Sequence, residues 1–238
     1  MSRRRKRLLV VGLLAAGVGG AALIRARFPT PARQPHTVAD FAAVLGTPGP
    51  ALERREAAMR LGRIGGRTAV AALAQALADD DASVRFAASA ALAQVGAPAV
   101  PSLLEVLAHG SVDAREAAVL ALAQIGDHRA TGPLAKAVCN DGYSAVRAQA
   151  ARALGRLGSP DSAEALTDAL ADADPAVRLA AVEALGVLPN SVAPDALAKA
   201  CADEDEAVRE RAREELARLA GKAKPAAPGK RLKRGQEE

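Results

Sequence analysis

Six arginines recur along this chain: Arg54, Arg85, Arg115, Arg147, Arg178 and Arg209, and from Arg85 onward the steps are 30, 32, 31 and 31 residues. A guanidinium is a rigid fork of donors that fits a carboxylate or a phosphate, so such a row could bind an anionic ligand or staple the fold to itself. The second role has its partner at hand, because Asp79, Asp141, Asp172 and Asp203 each stand six residues before one of these arginines. The spacing predicts acid–base pairs along a ridge of turns, a structural ladder whose exposed pairs would each be worth at most about 1 kcal/mol. In the third unit His109 occupies the place of the aspartate, a local break in the ladder.

The remaining reactive side chains are few. His36, His109 and His128 are too dispersed for a metal site, and the chain holds no glycine-rich phosphate loop, no nucleophile elbow and no Cys-x-x-Cys. No catalytic residue, metal ligand or cofactor is therefore assigned.

The elements that carry the arginines follow from what surrounds them. Seven residues after each comes a leucine: Leu61, Leu92, Leu122, Leu154, Leu185 and Leu216. Eleven residues after come Gly65, Gly96, Gly126 and Gly158, with Pro189 and Ala220 as departures, and glycine there reads as a helix stop. Beyond each stop lies a second apolar pair four residues apart: Leu73/Leu77, Leu103/Leu107, Leu134/Val138, Leu166/Leu170 and Leu197/Cys201. Each unit is thus a helix pair. Ser159-Pro160 and Asp174-Pro175 read as an N-cap followed by proline at the first helical position. Five units run from about 51 to 203, with a leading helix at Val38 to Leu45 and a polar last helix at Glu204 to Leu219 as caps. The fold class is all-α, an α-solenoid or superhelix. Sixty-one alanines and only four aromatic residues (Phe28, Phe41, Phe86 and Tyr143) suit closely apposed helices and leave no aromatic platform for sugars or bases.

The unit Asp172-Ala-Asp-Pro-Ala-Val-Arg-Leu-Ala-Ala-Val-Glu-Ala-Leu-Gly186 resembles the short HEAT-like repeat of phycobilisome lyase-type proteins and of many bacterial scaffold proteins. The resemblance covers about 150 to 180 residues. Tetratricopeptide and ankyrin repeats have similar lengths, but the chain has no Trp and no Thr-Pro-Leu-His. Two activities known on such repeats are weighed. The lyase relatives attach or detach bilins on phycobiliproteins, yet a repeat shared with non-enzymes carries no activity with it. Deoxyhypusine hydroxylase holds a di-iron centre with His-Glu pairs, and no histidine here begins such a pair.

In HEAT-like stacks the second helices line the concave face, where partners dock. Two residues past the first apolar position of each second helix stand Gln75, Glu105, Lys136, Asp168 and Lys199, about 200° away from the core side. The resemblance makes this stripe the candidate binding surface, although a merely solvated face would show the same pattern. Its alternating signs suit a protein partner. Cys139 and Cys201, on second helices two units apart, would lie roughly 20 Å from each other, beyond the about 7 Å a disulfide allows, and are read as small core residues. Asn140-Asp141-Gly142-Tyr143, where the period stretches to 32, reads as a surface loop.

The net charge of +5 conceals an uneven distribution. Residues 1–28 hold seven Lys/Arg and no acids, residues 222–238 hold six against two, and the body between carries 19 basic and 25 acidic residues. An acidic body argues against nucleic acid as the partner. Residues 8–24 carry no charge and read as a membrane segment of about 25 Å, with five basic residues before it and Arg25, Arg27 and Arg33 after it. Residues 1–28 are thus an N-terminal anchor or signal segment, the anchor being preferred. The N terminus would be cytoplasmic and the repeats extracytoplasmic, or the protein would be secreted or periplasmic after cleavage. Residues 29–36 form a proline-rich linker, residues 37–221 the repeat domain and residues 222–238 a basic, disordered tail that could contact anionic lipid or an envelope polymer.

Overall fold

Leucines at helical spacing, a glycine to end one helix and a polar turn to begin the next build each unit as two helices that fold back on each other, the chain turning by 118° between the two of the second unit. The computed structural model describes residues 36–188 and 193–222, and among them twelve α-helices and no strand. A leading helix α1 (Val38–Gly46) precedes five pairs: α2 (Ala51–Ile64) with α3 (Arg67–Gln75), α4 (Ala82–Val95) with α5 (Val100–His109), α6 (Val112–Ile125) with α7 (Thr131–Asn140), α8 (Ser144–Leu157) with α9 (Ala163–Asp168), and α10 (Pro175–Val187) with α11 (Ala193–Ala200). The stack closes with α12 (Glu206–Lys222). Short 3-10 turns at Ala97–Ala99, His128–Ala130 and Pro160–Ser162 lead into α5, α7 and α9.

The first helices pack in order, α2 on α4, α4 on α6, α6 on α8, α8 on α10 and α10 on α12, while α1 covers α2 and α3. Each layer of the core takes one leucine from each of its two helices. Leu61, Leu92, Leu122, Leu154 and Leu185 face Leu73, Leu103, Leu134, Leu166 and Leu197, and all ten are fully buried. Burying one such side chain contributes about 2 kcal/mol, and its truncation to alanine costs about 2–5 kcal/mol once the cavity is included.

Alanine supplies the spacing. A Cβ added at Gly155 would lie 2.9 Å from Ala184 Cα, so α8 and α10 touch almost backbone to backbone there. The same contact joins Gly62 to Ala91 between α2 and α4. The four glycine stops all have positive φ: Gly126 and Gly158 are left-handed, and Gly65 and Gly96 combine φ of 67° and 77° with extended ψ.

The start of α1 is held by a capping box, in which Asp40 N donates to Thr37 Oγ1 and Thr37 N donates to Asp40 Oδ2. Asp174 caps α10 as expected, with Pro175 at its first turn. Three readings are corrected. Pro160 opens a 3-10 turn rather than an α-helix, and the Ser159 side chain makes no cap. The last helix begins at Glu206, and Ala220 lies inside it instead of ending it. Cys139 is exposed, because Val138 before it fills the core slot, and Cys201 is only half-buried. Among the described residues no single helix is long and apolar enough to cross a membrane. The expected membrane segment at 8–24, the linker up to residue 35, the stop at Pro189 and the tail after Lys222 lie outside the described residues.

Candidate interaction surface and the arginine ladder

The arginines and aspartates do pair, but across units and not within them. Arg178 Nε and Nη2 donate to Asp203 Oδ2 and Oδ1 at 2.9 and 3.0 Å. Arg54 takes Asp79 in the same way, Arg115 takes Asp141 and Arg147 takes Asp172, with every one of these bonds between 2.7 and 2.9 Å. The aspartate six residues before each arginine offers its main-chain carbonyl instead. Arg85, Arg147, Arg178 and Arg209 donate through Nη1 to the carbonyls of Asp79, Asp141, Asp172 and Asp203 at 2.8–2.9 Å. Arg54, Arg115, Arg147 and Arg178 therefore each tie the turn before their own first helix to the turn of the next unit. The expectation of pairs six residues apart on an exposed ridge is corrected on both counts, since the Arg178 and Asp203 side chains are 7% and 9% exposed.

Each aspartate also shapes its own turn. Oδ1 of Asp79, Asp141, Asp172 and Asp203 accepts from the N–H two residues on, at 2.8–3.0 Å. At Asp79, Asp172 and Asp203 the net effect favours the ionised carboxyl. The Arg147 guanidinium draws Asp172 below the usual carboxylate range. For Asp79 and Asp203 burial opposes ionisation, yet the arginine and the backbone N–H together outweigh it and the net direction is again downward.

The junction after the second unit lacks this clasp. Twenty-five residues beyond Arg85 stands Gly110, whose carbonyl accepts from Arg115 Nη1 at 2.8 Å, and a Cβ there would press on the Val106 carbonyl at 2.6 Å. The turn is one residue short, so the carbonyl of the ladder survives and the carboxylate does not. His109 is not a substitute for it: its exposed ring lies 3.7 Å from Glu105 on its own helix. Arg85 finds only the exposed Asp113, at 3.5 Å. At the next junction the extra residue of the 140–143 loop is absorbed without loss, and the Tyr143 ring lies under Arg115, 5.7 Å from guanidinium carbon to ring centre.

A second tie went unread in the sequence. Arg129 grips Asp127 with Nε and Nη2 and also donates from Nη2 to the Ala97 carbonyl of the preceding unit at 3.0 Å. The Arg129 side chain and its backbone N–H hold Asp127 down at about 2. An aspartate directly after the glycine stop, with arginine two residues on, was the available signal.

The five stripe residues Gln75, Glu105, Lys136, Asp168 and Lys199 are all exposed, one on each of the second helices or at its end. One turn earlier Ala71, Pro101, Gly132, Glu164 and Asp195 are also exposed. The arrangement is a polar band along the second helices. The stripe and the ladder are separate: the ladder sits in the turns, the stripe on the helix faces. Among the described residues no three His, Cys, Asp or Glu side chains gather as metal ligands.

Paired helices stacked by repeated turn contacts define the class, and comparison with known proteins gives it a name. The family model for HEAT repeats matches residues 38–123 and 132–217, and the model of the PBS lyase HEAT-like repeat matches residues 114–138. The chain belongs to the HEAT-repeat family. Among solved structures it is similar to the complex of CpcE and CpcF of phycocyanin lyase from Nostoc sp. PCC7120, at 30% identity and a TM-score of 0.57, over 62% of this chain and 97% of that one. It shares the fold of a designed armadillo repeat protein in complex with the peptide (KR)4, at 21% identity and a TM-score of 0.50, over 76% of this chain and 99% of that one. Comparison with curated proteins finds no match.

Proposed function

We propose that this protein is a non-catalytic scaffold that binds a protein partner along the face of its second helices and is tethered to a membrane by residues 8–24, with the repeats on the extracytoplasmic side. The observation that carries the binding reading is the exposed row of Gln75, Glu105, Lys136, Asp168 and Lys199, in one register over five successive units. A rigid row of alternating charge fixes the register of a partner more than it adds raw affinity. The tether rests on the uncharged run at 8–24 and the basic residues before it. The basic tail would add a salt-sensitive contact with anionic lipid or an envelope polymer, and unchanged envelope association at low salt after deletion of 222–238 would remove that part.

The test is crosslinking in native cells and mass spectrometry of what is attached to the full chain, beside a variant with all five stripe residues changed to alanine. One partner enriched by the native chain and lost by the variant supports the scaffold. No enrichment over background sinks it. A second reading, an accessory enzyme of the bilin-lyase kind, is favoured by the similarity to the phycocyanin lyase complex, and a visible chromophore that co-purifies with the chain would select it.

A further inference from the structure

The outward face of the first helices is dressed unevenly. In the later units it is closed by ion pairs: Arg211 meets Glu183 at 3.0 Å and Glu214 at 3.2 Å, and Arg152 meets Glu183 at 3.7 Å. Between α2 and α4 the same face opens into a groove of about 410 Å³ with an apolar floor of Met59, Phe86, Ala87 and Ala90. Phe86 is 66% exposed and Met59 43%, and both line this one groove, where a contiguous apolar patch marks a contact surface. Arg55 and Arg63 stand at its rim, and neither side chain makes an ion pair among the described residues.

The geometry of α2 sets what fits. Arg55, Met59 and Arg63 follow at intervals of four, so the two cations stand on one helix face about 12 Å apart with the apolar floor between them. An acidic helix with carboxylates two turns apart and apolar residues between them would meet both arginines and cover Met59 and Phe86 in one pose. The chain's own ends have the wrong sign. Residues 1–28 carry seven basic residues and no acids, and residues 222–238 carry six against two. A second copy docked face to face would set arginine against arginine.

We propose that the groove between α2 and α4 docks an amphipathic helix of a protein partner that carries acidic residues two turns apart on either side of an apolar face. The site lies on the first helices, apart from the stripe on the second helices, so one chain would hold two partners, or two parts of one, on different faces.

The test uses the full chain and a fluorescent helical peptide with two glutamates two turns apart and leucines between them, beside a counterpart with lysine at both positions. The native chain should bind the glutamate peptide in preference to the lysine one. The Arg55→Glu/Arg63→Glu variant should bind the glutamate peptide about tenfold more weakly and reverse the preference. Phe86→Ser should weaken both without altering which is preferred, and the five-alanine stripe variant should bind like the native chain. All the altered residues are exposed, and an unchanged thermal melt confirms that folding is intact. Equal binding of the two peptides, indifference to the charge reversal, or displacement of the glutamate peptide by phosphatidylglycerol vesicles would overturn the proposal, the last by making the face a lipid contact. So would self-association of the native chain that the charge reversal abolishes.

Discussion

Arg178 reaches across a repeat boundary to clasp both oxygens of Asp203, and the same guanidinium holds the carbonyl of Asp172 in its own turn. A partly buried charge held from both sides is stabilising only while each contact is present. Asp203→Ala leaves the enclosed Arg178 only the exposed Glu204 as counter-ion, at 3.1 Å, and we expect a loss of about 2–3 kcal/mol in urea unfolding. Arg85→Ala removes a loose pair with the exposed Asp113 and the bonds to the Asp79 and Asp80 carbonyls, strands no enclosed charge, and should cost less, about 1–2 kcal/mol. Equal losses at the two sites would show that the clasp carries no special weight.

The ladder also sets a pH dependence. The native-state values of Asp79, Asp127, Asp172 and Asp203 are depressed, so the unfolded chain binds more protons than the folded one in acid. Their contribution is fully present above the unfolded value of about 3.9 and is lost as pH falls through the folded values, which for Asp127 means about 2. Thermal melts should hold steady from neutral pH down to about 5 and drop steeply below about 4. Asp172→Asn should flatten part of that drop.

Two glycines should respond with opposite sign. Gly155→Val drives side-chain atoms into the backbone of α10, and a loss of about 1–3 kcal/mol is expected. Gly132, on the exposed first turn of α7, has nothing within 4 Å of an added Cβ, and Gly132→Ala should gain about 0.5 kcal/mol by restricting the unfolded chain.

The missing clasp after Arg85 should show in native-state hydrogen exchange. Amides at the facing ends of α5 and α6 are expected to exchange through smaller openings than those at the α9–α10 and α11–α12 turns. Uniform protection along the stack would refute a weak junction there.

The helices, their order and their leucine layers were legible because they rest on one-dimensional spacing. The direction of the ladder was not. In a unit of 31 residues an arginine that follows one aspartate by six precedes the next by 25, so Asp172 and Asp203 are equally regular neighbours of Arg178 in the sequence. Only the stacking of turns decides which one its fork reaches. Cys139 follows the buried Val138, and the 100° that one residue turns on a helix is enough to carry it out of the core. The exposure of Gln75 and its four equivalents could be read from their offset alone. The groove could not, because it needs Met59 of one unit beside Phe86 of the next, and nothing in either helix alone announces the neighbour.

The forward reach of each arginine bears on how such a protein can grow. A segment cut from mid-turn to mid-turn carries an aspartate that closes the contact behind it and an arginine that opens the one ahead. Duplicating or deleting a regular segment, such as that from Asp172 to Ala202, leaves every remaining contact complete, so the stack can drift in length by such units without an unmatched charge at the seam. A ladder of pairs closed within each unit would have given the ancestral gene no such guarantee that consecutive copies adhere.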